Sequence, residues 1–260
     1  MSSDLQDRVV LVTGGGSGIG RGIARVLADH GAVVVVTDLK LDGARAVVAE
    51  IDSGGRRSMA LHHDVTSWSS CHDVARRACE RFGRIDVLVN NAGVSKSVPF
   101  HLLDEAEWDR VNDVNAKGVF MMTHAVVEPM MERRSGKIVN ISSMVGRDAI
   151  PLFVHYCASK FAVVGMTQAL AKELAPYNIN VNAVCPGVLR TPLWEPLLDQ
   201  LSATKHITRE EAFAEFVAGI PLGRPQDPED IGEAVAFLAS DRARQVTGVS
   251  FHVSGGQVMN

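Results

Sequence analysis

A chain of 260 residues, 46% of them apolar and 22% charged, fits one large α/β domain with a well-buried core. Its net charge of −4, with lysines and arginines scattered rather than gathered, argues against nucleic acid and anionic membranes as partners. Four cysteines without a C-x-x-C pair, no N-terminal apolar signal and no membrane-length apolar run point to a reduced, cytoplasmic protein.

Arg8 to Thr13 predicts a buried strand, followed by Gly14-Gly15-Gly16-Ser17-Gly18-Ile19-Gly20 and a helical pattern through Leu27. Strand, glycine turn and helix in that order aim bare backbone N–H groups and a helix N-terminus at an anion such as a phosphate. The spacing is G-x-x-x-G-x-G on Gly14, Gly18 and Gly20, because Ile19 stands where a G-x-G-x-x-G pattern has its third glycine. Val33 to Asp38 then predicts a parallel strand ending in a carboxylate. Asp38 follows Gly20 by 18 residues, close to the roughly 20 at which an acidic side chain meets the ribose of NAD. It could equally cap the next helix, and Lys40 beside it would tolerate a phosphate.

Ala44 to Ile51 predicts a helix stopped by Asp52-Ser53-Gly54-Gly55, and Ser58 to Leu61 a third strand leading to Asp64-Val65. His62-His63-Asp64 looks like a metal ligand set, but neighbours on a strand face opposite ways, so no metal is predicted. Ser67 to Phe82 is another helix, ended by Gly83 and followed by a strand from Ile85 to Val89 and then Asn90-Asn91-Ala92-Gly93. The βαβαβαβ alternation predicts a doubly wound Rossmann-type parallel sheet of about seven strands with helices on both faces. Ligands on such sheets bind at the carboxyl ends of the strands, where Thr13, Asp38, Asp64 and Asn90 all fall.

Asp104 to Arg134 predicts a long helical region, disturbed at Asn115, a poor helix former. Lys137 to Ser143 is the fifth strand, and the helical run between Pro151 and Pro176 carries Tyr156 and Lys160 four residues apart, on one face. To act near neutral pH a tyrosine must fall about 2–3 pH units from its usual value of about 10, a change of about 3–4 kcal/mol. One cation at about 4 Å and an effective dielectric near 20 supplies about 4 kcal/mol. The pair therefore predicts an acid/base device. The same helix is apolar on nearly all sides, which predicts that a second subunit covers part of it. Ile179 to Cys185 is a sixth strand closed by Pro186-Gly187. The excursion from 188 to 228, holding Pro192, Trp194 and a helical stretch from Thr208 to Gly219, predicts a lid. A last helix from Glu229 to Ala239 and a seventh strand from Gly248 to Val253 complete the chain.

Assembled in order, these motifs resemble the classical short-chain dehydrogenase/reductase family over essentially the whole chain. The resemblance rests on Thr13 to Gly20, Asp64-Val65, Asn90-Asn91-Ala92-Gly93, Asn115, Ser143, Tyr156 with Lys160, and Pro186-Gly187 followed by Thr191. One departure is Ser254 in Val253-Ser254-Gly255-Gly256, where the family usually has Asp. The resemblance implies a catalytic set of Asn115, Ser143, Tyr156 and Lys160. Tyr156 would exchange a proton with the substrate oxygen, Lys160 would lower the Tyr156 pKa and hold the nicotinamide ribose, and Ser143 would hydrogen-bond the carbonyl oxygen. Asn115 would anchor a water linking Lys160 to solvent.

It also implies a dinucleotide held by Gly14, Ser17, Gly18, Ile19, Gly20, Asp38, Asp64, Val65, Asn91, Ala92, Gly93, Tyr156, Lys160, Pro186, Gly187, Val188 and Thr191. Ser17 and Asp38 stand where NADP users place basic residues, so NAD is expected ahead of NADP. The substrate walls would be Val94, Ser95, Ser143, Met144, Val145, Phe153, Tyr156, Leu189 and Trp194. Mostly apolar, they suit a small neutral ketone, secondary alcohol, diol or polyol. The stretch Thr191-Pro192-Leu193-Trp194-Glu195 is locally similar to diol and polyol dehydrogenases. A 3-oxoacyl-thioester reductase is the alternative, and an inactive nucleotide-binding scaffold a third reading. A homotetramer is the assembly implied.

Overall fold

The computed structural model describes residues 4–52, 57–192 and 194–259; the predicted stop at Ser53-Gly54-Gly55, and Leu193, lie outside them. The chain runs β1 (Val9–Thr13), α1 (Gly18–Asp29), β2 (Val33–Asp38), α2 (Leu41–Ile51), β3 (Met59–His62), α3 (Trp68–Phe82) and β4 (Val87–Asn90). It continues through α4 (Glu105–Asn112), α5 (Gly118–Arg133), β5 (Gly136–Ile141), α6 (Val154–Leu174), β6 (Ile179–Pro186), α7 (Glu195–Lys205), α8 (Arg209–Ala218), α9 (Pro228–Ala239) and β7 (Ser250–Val253). The seven strands form one parallel sheet in the order β3-β2-β1-β4-β5-β6-β7.

Alternation along each strand divides the core in two. Val10 and Val12 of β1 face a cluster with Ile23 and Leu27 of α1, Val47 of α2, and Ile231 and Val235 of α9. Val9 and Leu11 face the other cluster, with Val74 of α3, Met122 and Val126 of α5, and Leu174 of α6. Helices thus cover both faces, as the alternation predicted. The packing of α1 on α9 leaves no room for side chains at the contact: a Cβ on Gly22 would lie 2.4 Å from Pro228 Cβ, and one on Gly232 2.7 Å from Val26 Cγ2. Strand β1 lies between β2 and β4, so successive connections leave it in opposite directions and open a crevice at its carboxyl end.

Two expectations need correction. The helical region predicted over 104–134 is two helices joined by a π-helical turn, Asp113–Lys117, in which the Gly118 N–H donates to Asp113 O. The extra residue in that turn is where Asn115 sits, fully buried and bonded sideways to neighbouring segments. The excursion after β6 contains two helices instead of one. Helix α8 carries a reciprocal capping box between Thr208 and Glu211, a strong local signal. Helix α7 has Trp194 at its N-cap with no side-chain cap, and its start is marked only by Glu195 and Pro196 in the first turn. Among the described residues no helix is long and apolar enough to cross a membrane.

Candidate active site

The crevice is shaped first by backbone. Gly14 and Gly18 adopt φ values of +61° and +51°, a region that L side chains rarely occupy. A Cβ on Gly20 would lie 2.2 Å from Gly14 O, so the first turn of α1 closes on the turn before it only because that side chain is absent. Asn91 locks the turn to the end of β4: its Nδ2 donates to Thr13 O and Gly14 O at 2.9 Å each. Thr13 Oγ1 in return accepts from the Asn91 and Ala92 N–H groups at 3.0 and 3.1 Å. Ser17, at the N-cap of α1, makes no side-chain cap bond, and no acidic residue lies in the first turn. The leading N–H groups of α1 and its positive dipole end therefore face the crevice.

Asp38 is held by two backbone N–H groups. Its Oδ2 accepts the Gly16 N–H at 3.0 Å and its Oδ1 the Lys40 N–H at 2.9 Å, bracing the glycine turn against the start of α2. Asp64 accepts the Thr66 hydroxyl at 2.7 Å and the Thr66 N–H at 2.9 Å, and the hydroxyl bond above all holds its carboxyl below the usual range. His62 and His63 face opposite ways, His62 outward and His63 into the core. His63 bonds Thr37 Oγ1 at 2.9 Å, lies 3.4 Å from Cys71 Sγ, and burial lowers its pKa to about 4.

At the far end β5 stops at Ile141, so Ser142 and Ser143 leave the sheet opposite the first turns of α6. Tyr156 and Lys160 project from one face of α6, as their spacing predicted. Lys160, 4% exposed, donates from Nζ to Ile141 O at 3.0 Å, with Nζ 5.7 Å from the centre of the Tyr156 ring. Burial pushes the Tyr156 phenol up to about 12, opposed by a hydrogen bond with Ser143, and lowers Lys160 to about 8. Burial disfavours the charged form of both groups, and the Lys160 ammonium leans toward β5.

Asn115 ties three segments together. Its Nδ2 donates to Val94 O at 2.9 Å and Ser159 Oγ at 3.0 Å, and its Oδ1 accepts the Val94 N–H at 2.8 Å. The side chain pins the loop after β4 to α6, which leaves the Asn115 backbone carbonyl as the group of this residue that would hold a water.

One cleft of about 470 Å³ joins these parts. Its walls include Gly14, Ser17, Gly18, Ile19, Gly20, Asp38, Asp64, Val65, Asn91, Ala92, Gly93, Val94, Tyr156, Lys160 and Thr191, all named from the sequence. Phe153 stands edge-on to Tyr156 with ring centres 6.3 Å apart, while Ser95 and Met144 are half-buried in the flanking loops. Five further assignments are corrected. Pro186, Val188 (0% exposed), Leu189 (2%) and Val145 (3%) turn into the protein interior, and Leu189 joins the core cluster of α1 and α9. Trp194 packs against Phe213 and Phe216 of α8, with ring centres 5.9 and 4.9 Å away. The walls also hold residues that were not assigned to the site: Leu39, Lys40, His63, Val114, Ile141, Ser142 and Pro192. Each lies within two residues of one that was singled out, and the register of strand and turn decides which neighbour faces inward.

The residues fit a dinucleotide. The glycine turn and uncapped α1 offer N–H groups to a diphosphate, Asp38 offers a carboxylate to ribose hydroxyls, and Tyr156 with Lys160 flanks the other end. Among the described residues no group of three or more His, Cys, Asp or Glu is gathered to hold a metal.

Comparison with known proteins agrees. The sequence model of the short chain dehydrogenase family matches residues 8–202. The chain is 39% identical to the 3-oxoacyl-[acyl-carrier-protein] reductase FabG of Thermotoga maritima, over 98% of this chain and 99% of that protein. It is 41% identical to a monensin polyketide synthase putative ketoacyl reductase of Streptomyces virginiae, over 96% of each. Among solved structures it is similar to levodione reductase, with a TM-score of 0.92 and 36% identity over 97% of this chain and 98% of that one. It is equally similar to a single-substitution variant of the actinorhodin polyketide ketoreductase with NADPH, with a TM-score of 0.92 and 38% identity over 99% of each chain. Sequence, sheet order and cleft thus agree, and the chain belongs to the short-chain dehydrogenase family of oxidoreductases.

Proposed function

We propose that this chain interconverts a ketone and a secondary alcohol with NAD preferred over NADP, and that its leading substrate pair is a 3-oxoacyl thioester and the matching 3-hydroxyacyl thioester. The observation that carries the reading is the single cleft joining the glycine turn and Asp38 to Tyr156 and Lys160. A nicotinamide dinucleotide bound along Gly14 to Gly20 and Asp38 would supply or take up the hydride. Tyr156, which keeps its proton up to about pH 12, gives that proton from Oη to the carbonyl oxygen on reduction and takes one back on oxidation. Ser143, bonded to the phenol, donates to the same oxygen as negative charge develops there. Lys160, charged below about pH 8, orients ribose hydroxyls and favours the phenolate left after transfer. Asn115 is a positioning residue that holds Val94 against α6. The segment from 188 to 228 closes over the substrate as a lid.

Asp38 supports NAD: a carboxylate accepts the two ribose hydroxyls and repels a 2′-phosphate, and Ser17 contributes no positive charge. Asp38→Ala narrows the ratio of kcat/KM for NADH over NADPH; an unchanged ratio would remove Asp38 from the choice. The thioester substrate is supported by relatives named as oxoacyl and ketoacyl reductases. A second reading, a cyclic or acyclic alcohol, diol or polyol, is favoured by the likeness to levodione reductase and by Asp38 itself, since the ketoreductase neighbour was solved with NADPH. Oxidation of reduced cofactor, followed by its absorbance with acetoacetyl-CoA and then with cyclic diketones, separates them. Faster turnover of the diketone would overturn the thioester.

A homotetramer is part of the same proposal. Helix α6 exposes Phe161 (46%) beside Ala162, Gly165 and Ala169, with Phe120 exposed on α5 and Phe251 on the edge strand β7. A monomer in sedimentation at micromolar concentration would refute it. Cys71, Cys79, Cys157 and Cys185 are all free, which suits a reducing, cytoplasmic setting.

A further inference from the structure

Between β6 and the lid the chain passes through Leu189, Arg190 and Thr191. Leu189 and Thr191 are buried, and Arg190 between them is exposed. Its guanidinium meets the first turns of both lid helices, 3.9 Å from Glu195 Oε1 on α7 and 3.1 Å from Glu210 Oε1 on α8. It also lies 5.6 Å from the centre of the Phe213 ring, the same ring that packs against Trp194. Arg209 shares Glu195 at 3.0 Å. On the opposite side Thr191 and Pro192 seat against the glycine turn: a Cβ on Gly18 would lie 3.6 Å from Thr191 Cβ and 3.6 Å from Pro192 Cδ. Gly18, Thr191 and Pro192 thus border one cleft, and Arg190, next to Thr191 in the chain, reaches from there to α7 and α8.

We infer that Arg190 is a positioning residue that couples dinucleotide binding at the glycine turn to closure of the lid, an inference that rests on the function proposed above. A diphosphate held at Gly18 fixes Thr191 and Pro192, which fixes where the neighbouring guanidinium stands. Because the first turns of α7 and α8 converge on that one group, placing it places both helices. Without it, Glu195 keeps Arg209 but Glu210 loses its partner at 3.1 Å, and the two helices lose their tie to the segment beside the turn. A planar guanidinium suits the task better than an ammonium, since it can bridge two carboxylates and lie on a ring together.

The test is hydrogen–deuterium exchange of the full-length protein with and without NADH, read in two places, the glycine turn (14–20) and the lid helices (195–218). In the wild type NADH is expected to slow exchange in both. In Arg190→Gln the turn is still slowed while the lid's slowing falls by about threefold, the scale of a shared surface ion pair. Arg190→Lys, with charge but no plane, is expected to keep part of the effect. Slowing of the turn confirms that each variant is folded and binds cofactor. Lid slowing unchanged in Arg190→Gln, or a wild-type lid that ignores NADH while its turn responds, overturns the role of Arg190. A wild-type turn that does not respond overturns the cofactor assignment as well, so the two failures are distinguishable.

Discussion

At the glycine turn every contact that shapes the cleft is a bond to backbone or a steric stop. Asn91 holds two carbonyls, Thr13 two amides and Asp38 two more, and Gly20 allows no atom beyond Cα. In the segment after β6 the comparable contacts join exposed side chains: Arg190 to Glu210, Arg209 to Glu195 and Asp199, Lys205 to Glu215, with Trp194 between two phenylalanines. Backbone-anchored geometry tolerates almost no substitution without moving the cofactor. Ion pairs between exposed side chains are individually weak and can be exchanged while the helices stay. A common cofactor belongs at the first kind of site and a varying substrate at the second.

Substitutions at the two ends should separate accordingly. The largest effect is expected at the chemistry: Tyr156→Phe lowers kcat by about a hundred- to ten-thousand-fold while NADH still binds in a fluorescence titration. Unchanged turnover would take Tyr156 out of the mechanism, and an inactive wild type that binds NADH would favour the scaffold reading. Because the phenol keeps its proton up to about pH 12, alcohol oxidation, which needs the deprotonated form, rises with pH through the alkaline range, whereas ketone reduction does not. Parallel pH profiles in the two directions would contradict that.

Next comes Gly20→Ala, which forces a methyl group to 2.2 Å from Gly14 O and is expected to weaken NADH binding about ten- to a hundredfold. Affinity equal to wild type would show that the turn can yield.

Stability should depend on acid through His63, whose pKa is about 4 folded against an ordinary 6.5. The neutral form is the folded one, so its contribution is complete above about pH 6.5 and is lost as pH falls through 4, a change of about 3 kcal/mol. Urea unfolding across that window measures it, and His63→Gln should flatten the curve. His155, buried beside Glu107 with its pKa lowered by burial, adds in the same direction. The smallest effect is expected in the lid, where Arg209→Gln should leave the thermal midpoint within about 2 °C. A larger drop would mean that the lid's ion pairs are structural, and the contrast with the turn would fail.

Much of this was legible along the chain. The strand and helix rhythm, the glycine spacing, the carboxylate closing β2 and the pairing of Tyr156 with Lys160 are local patterns with fixed periods, and each appears where the periods put it. Asn115 was legible as a disturbance but not as a bond to Val94 and Ser159, because those partners are 21 and 44 residues away. Val188 and Leu189 could not be told from wall residues, since the direction of a side chain leaving β6 depends on how the sheet twists and what α9 covers. Trp194 reads as a pocket aromatic until α8 is seen beside it.

The amino-acid sequence alone determined most of the elements, their parallel arrangement and the identity of the cleft's chemical groups, because these follow from spacing and from what each side chain can donate, accept or exclude. Only the tertiary structure decided the strand order, the π-helical turn at Asn115, the second helix after β6 and the burial that shifts Tyr156, Lys160 and His63. Those depend on which distant segments exclude water from a group, and desolvation is a property of the packed molecule rather than of any stretch of chain.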